Sequence, residues 1–371
     1  MALTKVSTGV VDMSGNTGGL VIAKGNGTDV SSGGERPTCN ATILGSIREN
    51  TDENKVEVCT ANGGTPLWQF LEEAGTSVPP LTVRYLIVAG GGGGGSGFDG
   101  GGGGAGGLLT SIAATPLPLT PNVIYTIEVG VGGTRTADSP GGNGGDSSIN
   151  GSDITLISAD GGGGGGGNTG GGSAGVAGGS GGGAGYGSST TNFGAGTSGQ
   201  GNNGGYGALN PGLYAAGGGG GGASAVGGNA TITVSGNGGN GLQNNITGTN
   251  LYYAGGGGGG RDTRSSSYPN NGGGGGDGGG GSADPNGGTG DNGNNGVGGG
   301  GAGAGVPASV IIQLGGTGGS GVVILRYPSF YAITFQTGVG FISSTATLSA
   351  TSEKVTTITA GSGTITFALI P

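Results

Sequence analysis

The chain has 371 residues, of which 108 are glycine, 8% are charged and none is histidine, and its formal net charge is −9. The missing histidine excludes most catalytic triads and most zinc sites. The acidic balance argues against nucleic acid as a partner, because contacts to phosphates need clustered Lys and Arg. We therefore predict that the protein is not an enzyme and uses no cofactor or metal ion.

Residues 1–80 are the most densely charged part of the chain and are predicted to form an N-terminal attachment module with a β-hairpin. Residues 45–68 show the pattern of strand, turn, strand and turn, with half-buried alternation at residues 55–59. Residues 67–74 have the only helical pattern in the chain. Cys39 and Cys59 are the only thiols, and the sequence leaves open whether they form a disulfide or remain free.

Residues 81–327 contain most of the glycine, in runs that follow short β-type segments. Strands are predicted at the following places: residues 85–89, 125–129, 154–159, 230–235 and 322–327. The tetrapeptide at residues 213–216 and its near-copy at residues 251–254 each precede six glycines, so the region contains true internal repetition.

Residues 328–371 lose the glycine abruptly and alternate with period two. We expect a small antiparallel β module there, with a hairpin turn at residues 361–363.

Polyglycine in the polyproline II conformation has three residues per turn and no internal hydrogen bonds. Every backbone N–H and C=O must then find a partner on a neighbouring segment. Inner segments of such a bundle should be pure glycine, and outer ones should carry one larger residue per turn, as residues 141–146, 236–241 and 315–321 do. The alternative is a disordered linker, the usual meaning of glycine-rich sequence, but the strands before the runs favour an ordered bundle.

The predicted fold class is therefore mostly β and irregular. It consists of a polyglycine-II helix bundle with short β-strands, flanked by small N- and C-terminal β modules and with almost no α-helix.

Four sequences carry a resemblance to a known family: YLIVAG at residues 85–90, GGAGGLL at 103–109, YTIEVGVGG at 125–133 and GGSGVVILRY at 318–327. In this order they resemble the glycine-rich domain of tail-fibre and receptor-binding (adhesin) proteins of tailed bacteriophages. The resemblance covers residues 81–327. It implies a virion protein with a rigid polyglycine block, whose loops between glycine helices face the bacterial host.

Candidate receptor contacts are aromatic and charged residues between the glycine runs, because aromatics among small polar residues suit adaptable recognition loops. The insertion at residues 261–268 separates two pure glycine runs and should lie at one end of the block. The candidates are Tyr186, Phe193, Tyr206, Tyr214, Tyr252, Tyr253, Arg261, Arg264 and Tyr268.

The functional hypothesis is a phage fibre or adhesin that attaches to a bacterial surface glycan or outer-membrane protein. Its N-terminal module would bind other virion proteins, and the resemblance implies a homotrimer, although a monomer at a fibre tip remains an alternative. We expect the protein on the virion, as a tail fibre or other surface fibre, after synthesis in the host cytoplasm and without membrane insertion. The alternatives are a structural capsid fibre or decoration without a specific receptor and, less favoured, an ice-binding polyglycine bundle.

Overall fold

A computed structural model of the chain describes residues 80–167, 172–187, 191–210, 214–263, 272–307, 313–336 and 339–370, and the backbone of four strands before residue 80. The chain divides into two compact units, Met1–Pro79 and Pro80–Pro371.

The first unit contains a four-stranded sheet in the order β1-β2-β3-β4. Its strands are β1 (Lys24–Gly25), β2 (Ile47–Asn50), β3 (Lys55–Asn62) and β4 (Thr65–Leu71). The predicted strands at residues 45–68 are confirmed, since β2 and β3 are antiparallel neighbours and β4 pairs in turn with β3. The turns between these strands lie outside the described residues. The helical pattern at residues 67–74 is wrong over its first five residues, because β4 pairs along its whole length with β3.

The second unit contains the remaining strands. They are β5 (Thr82–Val88), β6 (Leu108–Thr110), β7 (Leu117–Pro118), β8 (Tyr125–Glu128), β9 (Ser147–Gly151), β10 (Ile154–Ala159), β11 (Ala208–Asn210), β12 (Tyr214–Ala216), β13 (Leu242–Asn244), β14 (Leu251–Tyr253), β15 (Val322–Pro328), β16 (Tyr331–Phe335), β17 (Val339–Leu348) and β18 (Glu353–Leu369). No helix occurs in the described parts of either unit, as the predicted fold class requires.

The large sheet has the order β10-β9-β8-β18-β15-β5-β6, with β16 and β17 also paired to β18 and β7 paired to β5. The C-terminal residues are thus not the separate module that we predict from the sequence. Strand β18 pairs with β15 (Val323 opposite Ile358) and with β8 (Ile127 opposite Gly363), so it lies inside the same sheet. The predicted hairpin turn at residues 361–363 is also wrong, because β18 continues through it; Gly361 has a φ of 99° at this point.

The sheet is antiparallel and nearly closed, and its two faces bury separate apolar clusters. One cluster includes Tyr125, Ile127, Tyr327 and Phe367. The ring of Phe367 meets two tyrosine rings edge to face, with centroids 6.1 Å from Tyr125 and 5.2 Å from Tyr327. The other cluster joins side chains of β5 and β15 to Ile246 and Tyr253 from the β13–β14 hairpin. These apolar clusters supply the burial that glycine cannot.

The described glycine segments between residues 89 and 321 pack side by side and form what we call the glycine block. Residues 90–95 lie at its centre, with six other segments around them. Their neighbours, identified by backbone hydrogen bonds, are residues 101–107, 130–134, 139–145, 162–166, 299–304 and 313–319.

Hydrogen bonds of residues 90–95 follow a period of three. The N–H groups of Gly90 and Gly93 donate to residues 145 and 142 of one neighbour, while those of Gly91 and Gly94 donate to residues 319 and 316 of a second. The N–H groups of residues 92 and 95 donate to residues 104 and 101 of a third. This rotation among three neighbours is what a threefold, polyglycine-II segment requires.

Inner positions of the block leave no room for a side chain. A Cβ added to Gly91, Gly94 or Gly102 would overlap a backbone carbonyl of a neighbouring segment. Alanine nevertheless occupies some inner positions, since Ala105 and Ala302 are fully buried. The expectation of pure glycine inside is therefore too strict, whereas outer segments do carry larger residues every third position.

Candidate functional site

The glycine block has two ends, which differ in what they contain. The chain leaves β5, passes through residues 90–95, turns at residues 97–99 and returns to β6. Gly97 and Asp99 have positive φ values of 95° and 54°, which such a reversal needs. The end containing residues 97–99 is therefore opposite the large sheet, and we call it the distal end.

Several sequence-predicted contact residues come together at the distal end. The Tyr186 N–H donates to the Asp99 carbonyl (3.1 Å). The Tyr206 carbonyl accepts from the N–H of Ala230 (2.9 Å), which precedes a turn at residues 231–234. Both tyrosines are half-buried, as is Phe193 near the same end. The backbone of Tyr214 lies in β12, whose Ala216 pairs with Arg261. Arg264 and Tyr268 lie outside the described residues, between Thr263 and Gly272.

Arg261 is buried rather than displayed, with 3% of its surface exposed. Its guanidinium Nη1 donates to the carbonyl of Thr233. Burial lowers the pKa of Arg261, and the negative charges of Asp99 and Asp262 oppose that shift. Arg261 thus stabilises the distal end from inside, and we exclude it from the contact surface that we propose below.

Arg261 holds a tight turn at residues 231–234, where the alternating sequence predicts a strand; that prediction is wrong. The Thr231 N–H donates to the Val234 carbonyl (2.8 Å), and the Val234 N–H donates to the Thr231 hydroxyl (3.0 Å). Ile232 and Val234 are exposed by 48% and 40% at this turn. Their alternation with threonine is typical of a strand, so the sequence contains no signal for the turn.

Tyr252 and Tyr253 lie at the opposite end of the block, in the β13–β14 hairpin. Tyr253 is 3% exposed and packs in the cluster under β5 and β15, whereas Tyr252 is 41% exposed. Burial raises the pKa of Tyr253, and a hydrogen bond with Thr247 opposes the shift. Burial also removes Tyr253 from the contact candidates, and neither tyrosine joins those at the distal end.

A surface depression near the sheet is lined by Leu108, Gln200, Asn202 and Leu242, among others. Its amide groups already bond to the protein. Gln200 Oε1 accepts from the Asp160 N–H (2.7 Å), and Asn202 Nδ2 donates to the Gly222 carbonyl (2.9 Å). With these groups engaged, the depression offers little to orient a ligand.

The described residues contain no cluster of three or more metal-ligating side chains, and no helix among them is long and apolar enough to cross a membrane. A family model described as a glycine-rich domain matches residues 71–328. The chain belongs to this glycine-rich domain family. A comparison with curated proteins finds no match.

The glycine-rich domain, as matched, begins in β4 and ends with β15. It therefore includes the whole glycine block together with β5 and β15, which are adjacent in the sheet (Ile87 opposite Val323). Residues after the matched region complete the sheet of this domain, because β18 supplies a further strand beside β15.

The internal repeat of the glycine-rich domain has a structural meaning. Each copy is the second strand of a two-stranded hairpin, β11–β12 or β13–β14, that continues into a glycine segment. The two segments run antiparallel, since Gly217 donates to Gly260 (2.9 Å) and Gly220 to Gly257 (2.8 Å). Consequently one hairpin lies at the distal end and the other lies against the large sheet.

Proposed function

We propose that the protein is a virion fibre or adhesin of a tailed bacteriophage, and that it attaches to the bacterial surface through the distal end of the glycine block. The observation that supports this proposal most is that four aromatic residues lie at the same end of the glycine block. Tyr186 and Phe193 lie on one connection of the chain and Tyr206 and Tyr214 on another, and all four lie at or near the end opposite the sheet.

The proposed contact surface combines these aromatic residues with Ile232 and Val234. Aromatic residues among Ser, Thr, Asn and Gly provide contact area at a low cost in conformational entropy. Exposed aliphatic side chains on a turn that a buried arginine holds would add contact area with little loss of freedom on binding. Arg264 and Tyr268 stay candidates, because the chain on both sides of them lies at this end.

The remaining parts have roles that follow from the same proposal. The first unit attaches the protein to other virion proteins, and the chain joins the second unit at Pro80, ahead of β5. The partner of the distal end is a surface glycan or an outer-membrane protein, and the protein acts on the virion as part of a homotrimer. The glycine block serves as a rigid support, because its segments bond to one another through backbone groups alone.

A binding assay tests the proposal. Purified protein is first titrated against a panel of bacterial strains to find one that it binds. The double substitution Ile232→Ser with Val234→Ser should then weaken binding about tenfold or more, as loss of well-packed apolar contacts does.

The control is Val131→Ser with Val226→Ser. These valines are more exposed, at 72% and 62%, but lie on glycine segments away from the distal end. Equal binding by the two double variants would contradict the proposed surface. A chain that binds no strain at all would instead favour a structural virion component without a receptor.

A further inference from the structure

Four asparagine–glycine pairs on the outer segments of the glycine block share one arrangement. The Asn237 Oδ1 accepts from the N–H of Gly274 (2.9 Å), and the N–H of Gly238 donates to the carbonyl of the same Gly274 (2.8 Å). Both backbone groups of one residue are thus bound by an Asn–Gly pair. We call this arrangement an Asn–Gly clamp.

The same clamp occurs at three further places. Asn240 and Gly241 hold Asp277 (3.3 and 2.7 Å). Asn292 and Gly293 hold Thr317 (2.9 and 2.8 Å), and Asn295 and Gly296 hold Ser320 (both 3.0 Å). The recurrence every third residue matches the threefold repeat, so the clamps satisfy backbone groups along the outside of the block.

An Asn–Gly pair is also chemically reactive, because glycine has no side chain to hinder its backbone nitrogen. That nitrogen attacks the side-chain amide carbon of asparagine, the new N–C bond forms, and ammonia leaves with the side-chain nitrogen. Water then opens the resulting succinimide at either carbonyl and gives aspartate or isoaspartate. The step needs the glycine nitrogen to approach the asparagine side chain.

A clamp prevents that approach. The attacking nitrogen of Gly238 points its hydrogen at Gly274, and the amide of Asn237 is held by the N–H of the same residue. Both hydrogen bonds must break before the two groups can react. The clamped asparagines are therefore protected as long as the block is folded.

Asn150 and Gly151 are arranged differently. They lie at the end of β9, where Asn150 is exposed. The N–H of Gly151 donates to the Oδ1 of Asn150 itself, at 3.0 Å. The nitrogen and the side-chain amide that would react are thus already next to each other, with no neighbouring segment between them.

We propose that Asn150 is a site of spontaneous deamidation and isomerisation in the folded protein, while the clamped asparagines at positions 237, 240, 292 and 295 are protected. Isomerisation at Asn150 would disturb the core of the large sheet. A Cβ on Gly151 would already come within 2.7 Å of Cε1 of the Tyr125 ring. Isoaspartate lengthens the backbone before Gly151 by one carbon and displaces that residue against a buried ring of the core.

The experiment uses the purified full chain, incubated at mildly alkaline pH and sampled over days. Peptide mapping by mass spectrometry follows the mass increase of one unit at each Asn–Gly pair, and an isoaspartate assay identifies the product. Deamidation at Asn150 should be at least about tenfold faster than at Asn237, since two hydrogen bonds must first open at the clamp.

Internal controls come from the same molecule. In denaturant, where no clamp exists, the two sites should react at similar rates. The variant Asn150→Gln, which cannot form the five-membered ring, should keep its thermal stability during an incubation in which the unmodified chain loses it. Equal rates at the two sites in the folded chain would overturn the proposal, as would an unreacted Asn150 when the denatured chain reacts.

Discussion

Steric exclusion of side chains from the glycine block can be tested with a single methyl group. In Gly94→Ala, the new Cβ would overlap the carbonyl of Ala302. The backbone fixes the position of Cβ and the atoms it meets are backbone, so no rotamer change can relieve the overlap. We expect the upper part of the usual overpacking cost of 1–3 kcal/mol, about 3 kcal/mol. A gain of up to about 1 kcal/mol from the less flexible unfolded chain offsets part of this. The net destabilisation should be about 2–3 kcal/mol.

The matched control is Gly274→Ala, on an outer segment. A Cβ there has only Asn237 Oδ1 near it, at 3.7 Å, which is ordinary contact. This variant should be more stable than the unmodified chain by about 0.4–1 kcal/mol, because alanine restricts the unfolded state. Denaturation by guanidinium, followed by circular dichroism, measures both. Effects of the same sign and size would refute the packing of the block described above.

Three further predictions concern hydrogen bonds and titrating groups. Replacing Asn237 and Asn240 together by alanine should cost about 1–3 kcal/mol, since each clamp loses one hydrogen bond, and amide exchange at Gly274 and Asp277 should accelerate. Burial first, and then the hydrogen bond with Asp153, raises the pKa of Tyr125 to about 12. Stability contributed by this neutral phenol is present below pH 10 and is lost as pH rises towards 12. The unfolding free energy of the unmodified chain should therefore fall across that window, and the fall should be smaller in Tyr125→Phe. Burial would raise the pKa of Glu353, but hydrogen bonds from Arg326 and Thr351 and the charges of Arg326 and Arg84 lower it below 4.5. The stability from these contacts should therefore fade as pH drops through that lowered value, and Arg326→Met should reduce the effect.

The local parts of the fold could be predicted from the sequence. Strands β5, β8 and β10 precede glycine runs and have the alternation or apolar content of buried strands, which depends only on neighbouring residues. The threefold spacing of larger residues at 237 and 240 likewise predicts outer segments, and both side chains are exposed there. Such patterns can be recognised because residue types repeat every two or three positions along the sequence itself.

Features that depend on distant partners could not be predicted. Nothing in residues 353–369 indicates that β18 pairs with β15 and β8 instead of folding back on itself at Gly361. The burial of Arg261 depends on the Thr233 carbonyl and on Asp99, which is far away in sequence. A charged residue in a glycine-rich region is normally exposed, so the sequence favours the wrong environment for this one.

Packing through backbone groups explains why the ends of the block carry most of the sequence variety. Between Gly90 and Gly95 the register is fixed by N–H and C=O groups, which are the same in every glycine segment. A connection at the distal end only has to join two segments that are already aligned, and lengthening such a connection costs little, about 0.6 kcal/mol per doubling. The turn at residues 231–234 and the longer connection after Thr263 therefore join equivalent segments although they share no sequence. The block restricts what its segments are made of and leaves its connections free, which suits the contact surface that we propose.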